Sequence, residues 1–184
     1  MSNTALLIVD VQKAFEESKW GERNNPEAER NMSRILEWWR GLGHHVIFIQ
    51  HLSEDPSSVF HPEHQGFEIK EIVKPTAGEV IFTKKVNSAF IGTNLEGYLN
   101  EQSITKVVIT GLTTPHCVST TARMSSNLGF NTFLISDATA AYGVTDHDGV
   151  YHHPETIHNV TLATLHDEFA TILTTEKLIE EFKV

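Results

Sequence analysis

Three polar residues break an otherwise apolar pattern at points where reactive side chains are usually held: Asp10, Lys84 and Cys117. Cys117 is the single cysteine among 184 residues. It lies in Gly111-Leu-Thr-Thr-Pro115-His-Cys117-Val118, between a short apolar run and a segment that reads as helix. A thiol in the first turn of a helix faces unpaired backbone N–H groups and the positive end of the helix dipole. Both favour thiolate, so the expected pKa lies below the usual value of roughly 8.5. A cysteine nucleophile also needs a cation beside its thiolate and a base to take its proton. Lys84 and Asp10 are the residue types for those two roles. Taken singly, each has a plainer reading: Cys117 as a small buried hydrophobe, Asp10 as a turn residue, Lys84 as a solvated charge.

The elements that would bring the three together follow from the apolar runs at 5–9, 46–49, 80–82, 107–109, 132–135 and 169–173. Continuous runs, unlike alternating ones, suit strands covered on both faces, as parallel sheets require. Helix-length segments lie between them at 26–42, 94–101, 115–128, 154–168 and 175–182, with Asn25 as an N-cap and Gly43 as a stop for the first. Such alternation predicts a three-layer α/β/α fold, a doubly wound six-stranded parallel sheet, in one domain over 1–184. Sites in these sheets lie outside the carboxyl ends of the strands. Asp10, Lys84 and Cys117 follow the first, third and fourth runs and therefore share one edge. Residues 52–78 hold three prolines and little periodicity, and read as a functional loop or lid.

Composition narrows the function class. A formal net charge of −10 argues against nucleic acid, whose phosphates demand a basic face. No run approaches the roughly 20 apolar residues that span a bilayer, so no membrane partner is expected. The residues 5–9 are too short a run for a signal-peptide core, and one cysteine suits a reducing compartment; the expected location is the cytoplasm.

With these residues in view, the chain resembles the isochorismatase-like cysteine hydrolases, the group that includes nicotinamidases and N-carbamoylsarcosine amidohydrolase. The motifs that carry the likeness are Ala5-Leu-Leu-Ile-Val-Asp10-Val-Gln12, Lys84-Lys-Val-Asn-Ser88-Ala-Phe90 and Gly111-Leu-Thr-Thr114-Pro-His-Cys117-Val118. Asp137-Ala-Thr-Ala140 and the Pro75-x-x-Gly78-Glu79 lead-in add to it. The resemblance implies a triad of Asp10, Lys84 and Cys117, with Lys85 out of register. It also implies an oxyanion hole from the backbone N–H groups of Thr113 and Cys117, with a cis peptide between Leu112 and Thr113. The reaction implied is hydrolysis of an amide, lactam or carbamoyl C–N bond of a small molecule through a thioester. A homo-oligomer, dimer or tetramer, is implied as well.

The nicotinamidase branch carries an Asp-x-His metal motif that this chain lacks, since Gln50-His51-Leu52 stands there without the aspartate. The expectation is a metal-independent hydrolase with no cofactor. His61 and His64, and the cluster Asp146-His147-Asp148 with His152 and His153, read as loop residues. Relatives that hydrolyse the vinyl ether isochorismate can lack the cysteine, so Cys117 favours C–N cleavage. Vinyl-ether hydrolysis and a non-catalytic or redox-sensing role are the alternatives. Gln12, Phe15, Trp20, His51, Phe60, His116 and Tyr142 are the residues nominated to contact substrate. Trp38 and Trp39 are left between core and subunit contact.

Overall fold

Each apolar run becomes a strand because both of its faces find cover. The computed structural model describes residues 3–183; Met1, Ser2 and Val184 of the expected span lie outside the described residues. The strands are β1 (Thr4–Val9), β2 (His45–His51), β3 (Val80–Lys84), β4 (Lys106–Leu112), β5 (Asn131–Ala140), a two-stranded hairpin of β6 (Val144–Thr145) and β7 (Tyr151–His152), and β8 (Thr171–Leu173). Five α-helices accompany them: α1 (Ala28–Gly41), α2 (Leu95–Glu101), α3 (Ser119–Asn127), α4 (Pro154–Leu165) and α5 (Thr175–Glu181). The main sheet runs β3-β2-β1-β4-β5-β8 with every pairing parallel. Among the described residues no helix is long and apolar enough to cross a membrane.

Successive side chains of a strand point to opposite faces, and the core divides accordingly. Leu7, Val9, Ile47, Ile49, Val107 and Ile109 pack with Leu95, Leu99, Val118 and Ala122 on the α2/α3 side. Leu6, Ile8, Phe48 and Val108 pack with Met32, Ile35, Trp39 and Leu178 on the α1/α5 side. Trp39 is wholly buried and its Nε1 donates to the His45 carbonyl, which settles it as core. Trp38 is half-buried against the same layer.

Several boundaries differ from expectation. Asn25 does not cap α1, which begins three residues later; it adopts φ 44° and its amide donates instead to the carbonyls of Ser136 and Thr139. The expected helix at 115–128 opens with a π-turn, Thr114–Val118, before α3. Residues 52–78 are the connection between parallel neighbours β2 and β3, a crossover that a helix usually makes. Here two 3₁₀ turns, Gln65–Phe67 and Glu71–Val73, do the work. The crossover is tied down rather than free: Phe67 O accepts from Gln12 Nε2 and Gln50 Nε2, Lys70 N–H donates to Val11 O, and Lys70 Nζ reaches Glu29. The acidic and histidine-rich 146–153 segment is the β6–β7 hairpin, with Asp146 Oδ1 accepting from the N–H groups of Asp148 and Val150.

Gly111 explains how β4 can approach β1 at the site edge. It has φ +133°, and a Cβ there would lie 2.1 Å from the Val9 carbonyl oxygen. No other residue type fits, and the pairing of β4 with β5 shifts register at this point.

Candidate active site

Chain order runs outward from β1 toward β3 on one side and from β4 toward β8 on the other, so the crevice between the ends of β1 and β4 is the switch point of the sheet. Asp10 closes β1 with its main chain in the left-handed region, φ 52°, a conformation Asp tolerates better than most side chains. Its N–H donates to Ile49 O, which holds the turn against β2. Cys117 stands in the π-turn after β4. There the Thr113 carbonyl accepts from both His116 N–H and Val118 N–H, and the Thr114 hydroxyl is hydrogen-bonded to the buried His158 Nδ1 at 2.9 Å. The Leu112–Thr113 peptide is cis.

Lys84 is the last residue of β3, at the sheet edge. Asp10 lies two strands away, about 10 Å between strand axes at the usual spacing. A long stem is needed to cross β2, and the lysine supplies it while remaining 1% exposed. Its Nζ donates to Asp10 Oδ2 at 2.7 Å, His51 Nδ1 at 3.0 Å and Cys117 Sγ at 3.3 Å. All three donors of the ammonium are thereby used. The other oxygen of Asp10, Oδ1, is buried and has no hydrogen-bond partner among the described residues. Lys85 faces solvent and pairs with Glu54, so the register inferred from the motif is the one that reaches the site.

Electrostatics at this point correct one expectation. The Cys117 thiol is not lowered: burial, with the neighbouring Asp10 charge, pushes it up to about 12, against the opposing pull of Lys84. Burial also raises the Asp10 carboxyl, again opposed by Lys84. The helix-end argument failed because desolvation of Cys117, a residue only 9% exposed, outweighs the partial charge of one helix terminus. Burial thus favours the thiol form of Cys117, beside a carboxyl that burial also makes more proton-binding.

Above these residues opens a cavity of about 540 Å³. Phe15, Trp20, Phe60 and Tyr142 form its rim, with ring centroids 5.3 Å apart for Phe15–Trp20, 5.4 Å for Phe15–Phe60 and 5.9 Å for Trp20–Tyr142. Two are pinned by hydrogen bonds to backbone: Trp20 Nε1 to Ala14 O and Tyr142 OH to Phe15 O. His51, Thr113 and His116 also line the cavity. Gln12 does not. It is wholly buried, its Oε1 accepts from His51 N–H and its Nε2 donates to the carbonyls of His51 and Phe67. The motif position of Gln12 suggested substrate contact, but all of its bonding capacity on this side is spent on main chain.

The structure adds lining residues that the sequence reading passed over: Asn87, Lys19, Val144 and Thr145. Asn87 lies inside the Lys-Lys-Val-Asn motif and was in principle findable. Val144 and Thr145 arrive through the hairpin, whose local signal, Asp148-Gly149 between Val144-Thr145 and Val150-Tyr151, is present in the sequence.

Residues 4–177 match the isochorismatase domain family. The chain belongs to the isochorismatase family. Over 178 residues it is 67% identical to an uncharacterized family protein of Bacillus subtilis, YrdC, covering 97% of this chain and 95% of that one. A Streptomyces noursei streptothricin hydrolase is 34% identical over 145 residues, 76% of this chain and 50% of its own length. Among solved structures, a Chromobacterium violaceum protein described as an isochorismatase-family hydrolase superposes with a TM-score of 0.95 at 34% identity, covering 97% and 93% of the two chains. This isochorismatase-family hydrolase thus has the fold that its motifs implied.

Metal chemistry of the kind implied for part of the family can be tested on the donor set. A carboxylate oxygen of Asp10, a ring nitrogen of His51 and Cys117 Sγ lie within 4.8 Å of one another, and form the one cluster of metal-ligand type among the described residues. Those three side chains are the ones that accept from Lys84 Nζ. A divalent cation would have to displace a buried ammonium or sit against it. Asp10, His51 and Cys117, each already hydrogen-bonded to the Lys84 ammonium, do not fit a metal.

Proposed function

We propose that this isochorismatase-family protein is a cysteine hydrolase that cleaves a C–N bond of a small amide, lactam or carbamoyl compound through a thioester, without a metal. The observation that carries the reading is the Lys84 ammonium held between Asp10 Oδ2 at 2.7 Å and Cys117 Sγ at 3.3 Å at the base of a cavity. Asp10 takes the Sγ proton, and Lys84 compensates the thiolate as it forms. The thiol's high pKa means the nucleophile is made at the moment of attack, and the raised carboxyl is a better base for it. Sγ bonds to the carbonyl carbon, and the carbonyl electron pair moves to oxygen. We assign the backbone N–H groups of Thr113 and Cys117, both at the cavity wall, as donors to that oxyanion. Collapse breaks the C–N bond, and the leaving nitrogen takes the proton from Asp10. Asp10 then removes a proton from water, hydroxide adds to the thioester, and expulsion of Sγ with return of the proton releases the acid.

Release of ammonia or amine across a panel of simple, cyclic and carbamoyl amides, with intact-mass detection of an acyl adduct, tests the scheme. The Cys117→Ala variant should lose both signals while its circular dichroism is unchanged. Full turnover by that variant on the best substrate would sink the proposal.

A further inference from the structure

His51 does more than line the cavity. It closes β2, and in the parallel pairing of β2 with β3 it stands in register with Lys84, which is why the two side chains meet. Its main chain is gripped at both ends by the Gln12 amide, N–H to Oε1 at 2.8 Å and C=O from Nε2 at 2.9 Å. Its ring packs edge-on against Phe60 with centroids 5.2 Å apart. Nδ1 accepts a hydrogen bond from the Lys84 ammonium, which can only donate. In a neutral imidazole the proton must then sit on Nε2. Burial and the Lys84 charge both resist protonation of the ring, lowering its pKa to about 4. Nε2 has no partner among the described residues and is not one of the buried unsatisfied atoms, so its N–H is open to the cavity that His51 lines. The result is a rigid hydrogen-bond donor whose tautomer is set from behind by the residue that serves the nucleophile.

The surrounding wall agrees with that polarity. Asp10 is the one carboxylate among the lining residues, and it is bound to Lys84. Asn87 and Lys19 offer further donors at the mouth. For a cationic substrate the cavity offers only the carboxylate already paired with Lys84 and the faces of its aromatic rings.

We propose that His51 Nε2–H is the specificity-determining donor of this site. It selects neutral or anionic substrates that carry a hydrogen-bond acceptor, a ring nitrogen or a second carbonyl or carboxylate oxygen, next to the scissile amide. This rests on the cysteine-hydrolase reading but is tested without turnover. In the Cys117→Ala protein, binding of the three pyridinecarboxamide isomers is compared with that of benzamide, which has the same shape and no ring acceptor. At least one isomer should bind about tenfold more tightly than benzamide, the worth of one hydrogen bond that would otherwise leave a buried donor unpaired. Adding His51→Phe should bring that ratio to within about twofold while benzamide affinity holds.

Separately, ¹⁵N-histidine spectra of the unsubstituted protein, with the His51 signals assigned by their loss in His51→Phe, should show a protonated Nε2 and a bare Nδ1 at neutral pH. A proton on Nδ1, equal binding of all four compounds or binding of none, or an isomer preference that survives His51→Phe overturns the proposal. Adduct formation by the parent protein fails or succeeds independently of these readouts.

Discussion

The floor and the rim of the cavity are built on opposite principles. The floor consists of side chains on strand ends, Asp10 and Lys84 at 1% exposure and Cys117 at 9%, joined by charge in dry surroundings. The rim is four aromatic rings on connecting segments, joined by ring packing and by single hydrogen bonds to backbone. In the floor a charge removed leaves another uncompensated in low dielectric, so chemistry and stability are coupled. In the rim a ring removed leaves a space that substrate or water fills, so binding changes while the reacting groups stay in place. Under the proposed function, reaction type belongs to the sheet and substrate choice to the loops and to His51, which belongs to both regions.

The coupling in the floor is tested most strongly by Lys84→Met. It strands a buried carboxylate and removes the cation from Sγ, so activity should fall by about 10³-fold or more. Stability should drop by about 3–5 kcal/mol in urea titrations. Activity within tenfold of the parent, with unchanged stability, would break the distinction between floor and rim.

The resting thiol makes a comparable kinetic prediction. With a pKa near 12, Cys117 should react with iodoacetamide at pH 7 roughly 10³-fold more slowly than an exposed cysteine of pKa about 8.5, and the rate should still be climbing above pH 10. A plateau below pH 8 would show a preformed thiolate instead.

A third test concerns the frame that holds the rim. Glu29 accepts from both guanidinium ends of Arg23 and from Lys70, and so ties the segment before α1 to the crossover. Hydrogen bonds from Arg23 and Lys70, prevailing over burial, lower the Glu29 carboxyl from 4.5 to about 2. A carboxyl lowered on folding stabilises fully above its unfolded pKa and loses that contribution as pH falls through the folded value. About 2–3 kcal/mol should therefore disappear between pH 4.5 and 2. Glu29→Gln should be less stable than the parent at pH 6 and lack this part of the acid slope; an identical pH profile for both proteins would refute the role.

The smallest effect belongs to the rim itself. Phe60→Ala should raise KM about tenfold with kcat within about twofold, because only uniform binding is lost. A fall confined to kcat would place Phe60 with the floor.

Much of this site was legible in the sequence. Asp10 stood out because a carboxylate ended a continuous apolar run, and Cys117 because a lone thiol followed a strand and a glycine turn. Lys84 was separable from Lys85 only through the motif around it, since both are lysines at a strand end. Gln12 was misplaced as a substrate contact because motif position says nothing about which partner an amide finds. The thiol's ionisation was misjudged because a helix terminus is visible in sequence, whereas the burial that overrides it is not.

By itself the sequence determined the strand and helix alternation, the parallel sheet and the identities of the three residues at its edge, because hydrophobic pattern and residue type are local properties. Only the tertiary structure decided that Lys84 spends its three donors on Asp10, His51 and Cys117, that Gln12 grips His51, and that burial raises the pKa of the sulfur. Those depend on parallel register and on dryness, and both are set by contacts between residues far apart in the chain.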